Sequence, residues 1–95
     1  MKYYIETISA DLAETLKDRG MPIKRIIHPE RAVTYGRVFD WLMENDLLVN
    51  IGGGNDVWRG TINMPIGYFN TGIKNTWHEA ATAAIEKALE LIKKD

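Results

Sequence analysis

Residues 76–92 read Thr-Trp-His-Glu-Ala-Ala-Thr-Ala-Ala-Ile-Glu-Lys-Ala-Leu-Glu-Leu-Ile, a pattern that suits an amphipathic helix and little else. Thr76 and Glu79 stand at capping-box spacing, which provides for N–H groups that a helix start leaves unpaired. Behind them Trp77, Ala80, Ala81, Ala84, Ile85, Ala88, Leu91 and Ile92 recur at helical intervals, with Leu89 at the margin of the stripe. The pattern predicts a helix from Thr76 to Lys93. Its many alanines predict a close approach to a sheet, so this segment sets one wall of a core and restricts what the rest of the chain can build.

Two further helices are legible upstream. The first is expected from Ser9 to Arg19. Ser9 suits the N-cap, Asp11 and Glu14 complement the positive end of the helix dipole, and Gly20 is placed to end the helix in a left-handed conformation. Met21 would then meet Leu16 in a Schellman ending, with Pro22 blocking continuation. The apolar stripe is thin: Leu12, Ala13 and Leu16. The second is expected from Thr34 to Asn45, with Val33 and Val38 at hydrophobic-staple spacing. Tyr35, Val38, Phe39 and Leu42 share one face of it, flanked by Trp41 and Met43. Between these helices Lys24 to His28 reads as a short edge strand ended by Pro29. Met1 to Thr7 reads as a short strand or a loose arm.

After Asn45 the apolar period changes from helical to two. Leu47, Val49 and Ile51 point one way, Leu48 and Asn50 the other. Gly52 to Asp56 is expected as a turn or loop, Val57 to Met64 as a second strand with Trp58, Ile62 and Met64 on one face, and Met64 to Gly67 as the next turn. Tyr68 to Ile73 returns as a third strand, weakened by Gly72. Short connections imply hairpins. The fold class that follows is α+β: one domain over residues 1–95, two layers, a small antiparallel sheet of two to three strands, and three helices packed mainly on one face.

The segments Thr34-Tyr-Gly-Arg-Val-Phe-Asp-Trp-Leu-Met-Glu-Asn45 and Thr76 to Ile92 resemble a family of small uncharacterised proteins of Bacteroides-type gut bacteria and their phages or integrated elements. The resemblance covers the helices, about half of the chain, and rests on packing motifs. It implies a bacterial or mobile-element setting and transfers no functional residue. The middle departs from the family pattern, because Gly52–Gly54 and Met64–Gly67 interrupt what is otherwise an aromatic-rich strand pair.

Composition narrows the chemistry. The 95 residues include no cysteine, which removes disulfides, thiolate metal sites and thiol nucleophiles. Gly52-Gly-Gly-Asn-Asp56 lacks the Gly-Lys-Ser/Thr of a phosphate loop and leads into a strand instead of a helix, so a hairpin is the expected use. His78-Glu79 fails as a zinc-protease helix because Thr82 stands where the second histidine belongs. His78 is expected at a surface or boundary, and His28 has no recognisable partner. Ser9 is a cap, and Asp40 with Glu44 forms a solvated i,i+4 pair beside Arg37. No catalytic constellation, metal set or cofactor is therefore expected.

Two surfaces remain. Adjacent strand residues point to opposite faces, so one of Tyr68 and Phe69 should turn away from the helices and offer a partner surface. Arg19, Lys24, Arg25, Arg31 and Arg37 are candidate anion contacts within the basic 17–37 region. The leading expectation is a non-catalytic protein-interaction or accessory module with an unknown protein partner and weak homodimerisation through the sheet. The alternative is a weak nucleic-acid or anion-binding domain, which the net charge of -1 disfavours. No apolar run is long enough for a membrane span and no export signal is evident, so a cytoplasmic location is expected.

Overall fold

The computed structural model of the chain describes residues 2–21, 33–65 and 67–92. A 3₁₀ turn at Lys2–Ile5 precedes α1 (Ala10–Asp18), α2 (Tyr35–Glu44), β1 (Leu48–Gly54), β2 (Val57–Met64), β3 (Gly67–Lys74) and α3 (Trp77–Leu91). The three strands form an antiparallel meander in the order β1-β2-β3. Helix α3 packs on all three strands and α2 on β1, which leaves the other sheet face open among the described residues. The fold is α+β.

Each helix starts and stops where its local chemistry dictates. The hydroxyls of Ser9, Thr34 and Thr76 accept hydrogen bonds from the N–H groups of Leu12, Arg37 and Glu79. The Thr76 hydroxyl also lies 3.2 Å from Glu79 Oε1, closing the predicted capping box through the side chains. At the end of α1, Gly20 takes φ +102 and Met21 N–H donates to Leu16 O at 3.0 Å, the predicted Schellman ending. Helix α2 ends the same way on a non-glycine residue. Asp46 takes φ +65 while Leu47 N–H donates to Leu42 O at 2.9 Å. That bond delivers Leu47 to the core and turns the chain into β1. The staple residues Val33 and Val38 are both buried.

The core lies between the sheet and the helices. Leu16, Val33, Val38, Leu42, Ile62 and Ile85 are its fully enclosed large side chains. The alanine stripe does what its composition implies. A Cβ added at Gly60 on β2 would come within 3.0 Å of both Ala80 O and Ala84 Cβ, so helix and strand pack nearly backbone to backbone.

Four expectations are corrected. Of the expected Met1–Thr7 strand or loose arm, the described residues 2–7 form neither. Lys2–Ile5 is a 3₁₀ turn, after which Thr7 bridges Thr34, with Ile8 N–H donating to Val33 O and Tyr35 N–H to Glu6 O. The Gly52–Asp56 loop shrinks to a two-residue turn, Asn55-Asp56, because Gly52, Gly53 and Gly54 pair with Arg59, Trp58 and Val57. Leu89 is buried while Leu91 and Ile92 are only partly covered, because α3 ends at Leu91 with Ile92 already extended. Finally, β3 carries an irregularity: Arg59 and Thr61 are two residues apart, while their partners Ile73 and Asn70 are three apart. The expected Lys24–His28 strand lies outside the described residues.

A candidate partner surface on the open sheet face

Period-two alternation sorts the strand residues. Val49, Gly60 and Ile62 turn toward the helices and are buried. The outward residues fall into rows across the strands, set by the register. One row is Leu48, Asn63 and Tyr68; the next is Asn50, Thr61 and Asn70; a third is Gly52, Arg59 and Ile73. Val57 closes the face beside the hairpin turn.

The chemistry of this face is distinctive. Leu48, Val57, Tyr68 and Ile73 are 45%, 55%, 68% and 61% exposed and sit toward its corners. The central row is uncharged, with the Thr61 hydroxyl donating to Asn70 Oδ1 at 2.9 Å. Arg59 is the one charged residue in the rows. The glycines of β1 leave a shallow depression bordered by Asn50, Val57, Arg59 and Thr61. Large apolar side chains at the corners of a flat, nearly uncharged face suit a protein partner better than a charged one.

The irregularity in β3 decides which residues reach this face. Gly72 takes φ +87, and the extra residue reverses the alternation beyond it. Ile73 therefore emerges beside Arg59, while Lys74 pairs with the inward-facing Trp58. The Thr71 hydroxyl accepts from Gly60 N–H at 3.0 Å, taking over the ladder bond that the irregularity breaks. Of the two aromatic candidates, Tyr68 faces out. Phe69 faces the helices, packs against the core and holds Lys87 Nζ 4.6 Å from its ring centroid.

The aromatics at the opposite end of the helix layer are engaged with one another. Tyr3 stacks on Trp77 at 4.8 Å with an interplanar angle of 11°, and Tyr35 meets Trp77 edge-on at 5.0 Å. Trp58 meets Tyr3 edge-on at 6.1 Å and donates its indole N–H to Asn55 O. His78 lies at the rim of this cluster, Nε2 3.0 Å from Glu6 Oε1, at the boundary position expected of it. The N-terminal turn thus covers Trp77 on the helix side and does not reach across the open face.

The anion candidates have separate placements. The Arg19 guanidinium donates to Leu89 O at 2.8 Å, joining the end of α1 to the last turn of α3. Arg37 is exposed in the first turn of α2. Lys24, Arg25 and Arg31 lie outside the described residues. Asp40 and Glu44 are exposed on α2. Among the described residues no three histidine or carboxylate side chains are placed to hold a metal ion, and no helix is long and apolar enough to cross a membrane.

The chain matches none of the protein-family models, curated proteins or solved structures compared with it. Some features of the face escape sequence reasoning. Val57 reads as an ordinary strand residue, Leu48 is assigned its outward side by alternation but is not marked as a contact, and Ile73 is placed by an irregularity whose one local signal is Gly72.

Proposed function

We propose that the domain is a non-catalytic protein-interaction module, an accessory component of a bacterial or mobile-element system, and that its open sheet face is the contact surface. The observation that carries this reading is the exposure of Leu48, Val57, Tyr68 and Ile73 on one face bearing a single charge, Arg59. Burying such side chains contributes roughly 25 cal/mol per Å² of apolar area removed from water. The bacterial setting comes from the helical resemblance alone.

The test is affinity capture from a bacterial lysate by three forms of the full chain: wild type, Tyr68→Lys/Ile73→Lys, and the control Glu86→Lys on the exposed side of α3. The reading requires a protein retained by wild type and control and lost with the sheet-face variant. Equal capture by all three rejects it. Anisotropy titrations with mixed DNA and RNA oligonucleotides address the alternative. Binding that falls steeply with salt and is lost in Arg25→Ala/Arg31→Ala would favour a polyanion partner; no specific binding is expected.

A further inference from the structure

The two edges of the sheet, β1 and β3, are not equivalent. The β3 edge is broken by its irregularity, by Gly72 at φ +87 and by the terminal Lys74, all features that discourage strand addition. Of these features the β1 edge shares only a positive-φ glycine, Gly53 at φ +134, which keeps its pairing with Trp58. Leu48–Gly54 carries no proline and no charge, and its register against β2 is unbroken. Among the described residues no backbone group pairs with its outer side.

The strand is also sterically divided. Leu48, Val49, Asn50 and Ile51 carry side chains, whereas Gly52, Gly53 and Gly54 carry none. An antiparallel copy placed about a two-fold axis at Ile51 sets Leu48 opposite Gly54 of the second copy, Val49 opposite its Gly53 and Asn50 opposite its Gly52. Each side chain then meets glycine space, and no charge opposes another. Ile51 is only half-buried at the rim of the core, and there it meets its own counterpart. We infer that β1 is the edge at which two copies of this chain pair antiparallel about Ile51, joining two three-stranded sheets into one of six strands. The two open faces become continuous, and both β3 edges stay outermost. This goes beyond the reading of the open face as a contact surface and stands independently of it: a second copy occupies the sheet's edge, not its face.

Sedimentation of the full chain over a wide concentration range tests it. Asn50 and Gly52 are exposed, and a Cβ at Gly52 meets nothing within 4 Å. Substitutions there therefore leave the fold intact, which circular dichroism checks. Wild type should show a sedimentation coefficient that rises with concentration toward that of a dimer. Asn50→Lys/Gly52→Lys and Asn50→Glu/Gly52→Glu should each weaken the dimer roughly tenfold or more, because like charges then oppose each other across the axis. An equimolar mixture of the two should restore association, since the introduced lysines of one chain face the introduced glutamates of the other. Tyr68→Lys/Ile73→Lys should dimerise as wild type does. A wild type that stays monomeric, edge variants that associate unchanged, or a mixture that fails to recover would each overturn the inference. So would loss of dimer only in the Tyr68/Ile73 variant. Lysate capture that ignores Tyr68 and Ile73 would reject the face reading while leaving this edge untouched.

Discussion

At the scale of single residues, Gly53 is the most tightly constrained glycine of the sheet. Its φ of +134 lies where side chains are rarely found, and a Cβ there would stand 2.0 Å from Val57 O. Gly52, one residue earlier, has open space at the same point. Gly53→Ala should therefore lower stability by about 2 kcal/mol or more, and Gly52→Ala by far less. Denaturant midpoints compare them, and equal losses would remove the special status of Gly53. The sequence alone points to glycines in this stretch but misplaces them in a loop. Composition marks flexibility, whereas the register that pairs Gly53 with Trp58 is set by the tight turn at Asn55-Asp56, which the run of glycines does not announce. Trp77 shows the opposite case. Its place behind a capping box announces a core anchor, and it is 3% exposed beneath the Tyr3 ring. Trp77→Ala should cost about 3–5 kcal/mol, and Thr76→Ala about 1 kcal/mol. A midpoint barely moved by Trp77→Ala would deny the anchor.

At the scale of elements, legibility follows the range of the determining contacts. The caps Ser9, Thr34 and Thr76 and the Gly20 ending act within five residues, so all three helices are readable from the chain. Strand β2 is readable to the residue because its alternation is unbroken. The N-terminal 3₁₀ turn is not, since Tyr3 is held by Trp77 and Thr7 by Thr34. The facing of Tyr68 and Phe69 was legible only as a choice between the two; the pairing of Asn63 with Tyr68 makes it. The irregularity in β3 offers a direct test of how an element is held. Thr71 supplies the acceptor that Gly60 N–H, on a buried residue, would otherwise lack. Thr71→Val keeps the shape and removes the oxygen. It should cost about 1–3 kcal/mol, because it strands a buried donor, and it should speed hydrogen exchange at the Gly60 amide. Unchanged exchange there would mean that another acceptor takes the bond.

At the scale of the whole molecule, stability should be uneven, and the placement of buried residues says how. Helix α3 buries Trp77, Ala80, Ala81, Ala84, Ile85, Ala88 and Leu89 against the sheet. Strand β2 is paired on both sides. Helix α1, by contrast, buries only Leu12 and Leu16. Its far end is held by Met21 in the core and by the Arg19 guanidinium on Leu89 O. That carbonyl is among the last four of α3, which a helix leaves without intrahelical donors, and the cation sits at the negative end of the helix dipole. Arg19 therefore acts as a clasp between two helices, whatever else it touches. Native-state hydrogen exchange should rank β2 and α3 as slowest and α1 as opening below the global unfolding free energy. Arg19→Gln should accelerate exchange across α1 severalfold and leave β2 nearly unchanged, at a global cost of about 1–2 kcal/mol, discounted for the partial exposure of the bond. Arg19→Lys should recover part of the loss, since it restores the charge without the planar fork. Uniform acceleration across α1, β2 and α3 would instead mean that the helices and sheet open as one unit, with no separable role for the clasp.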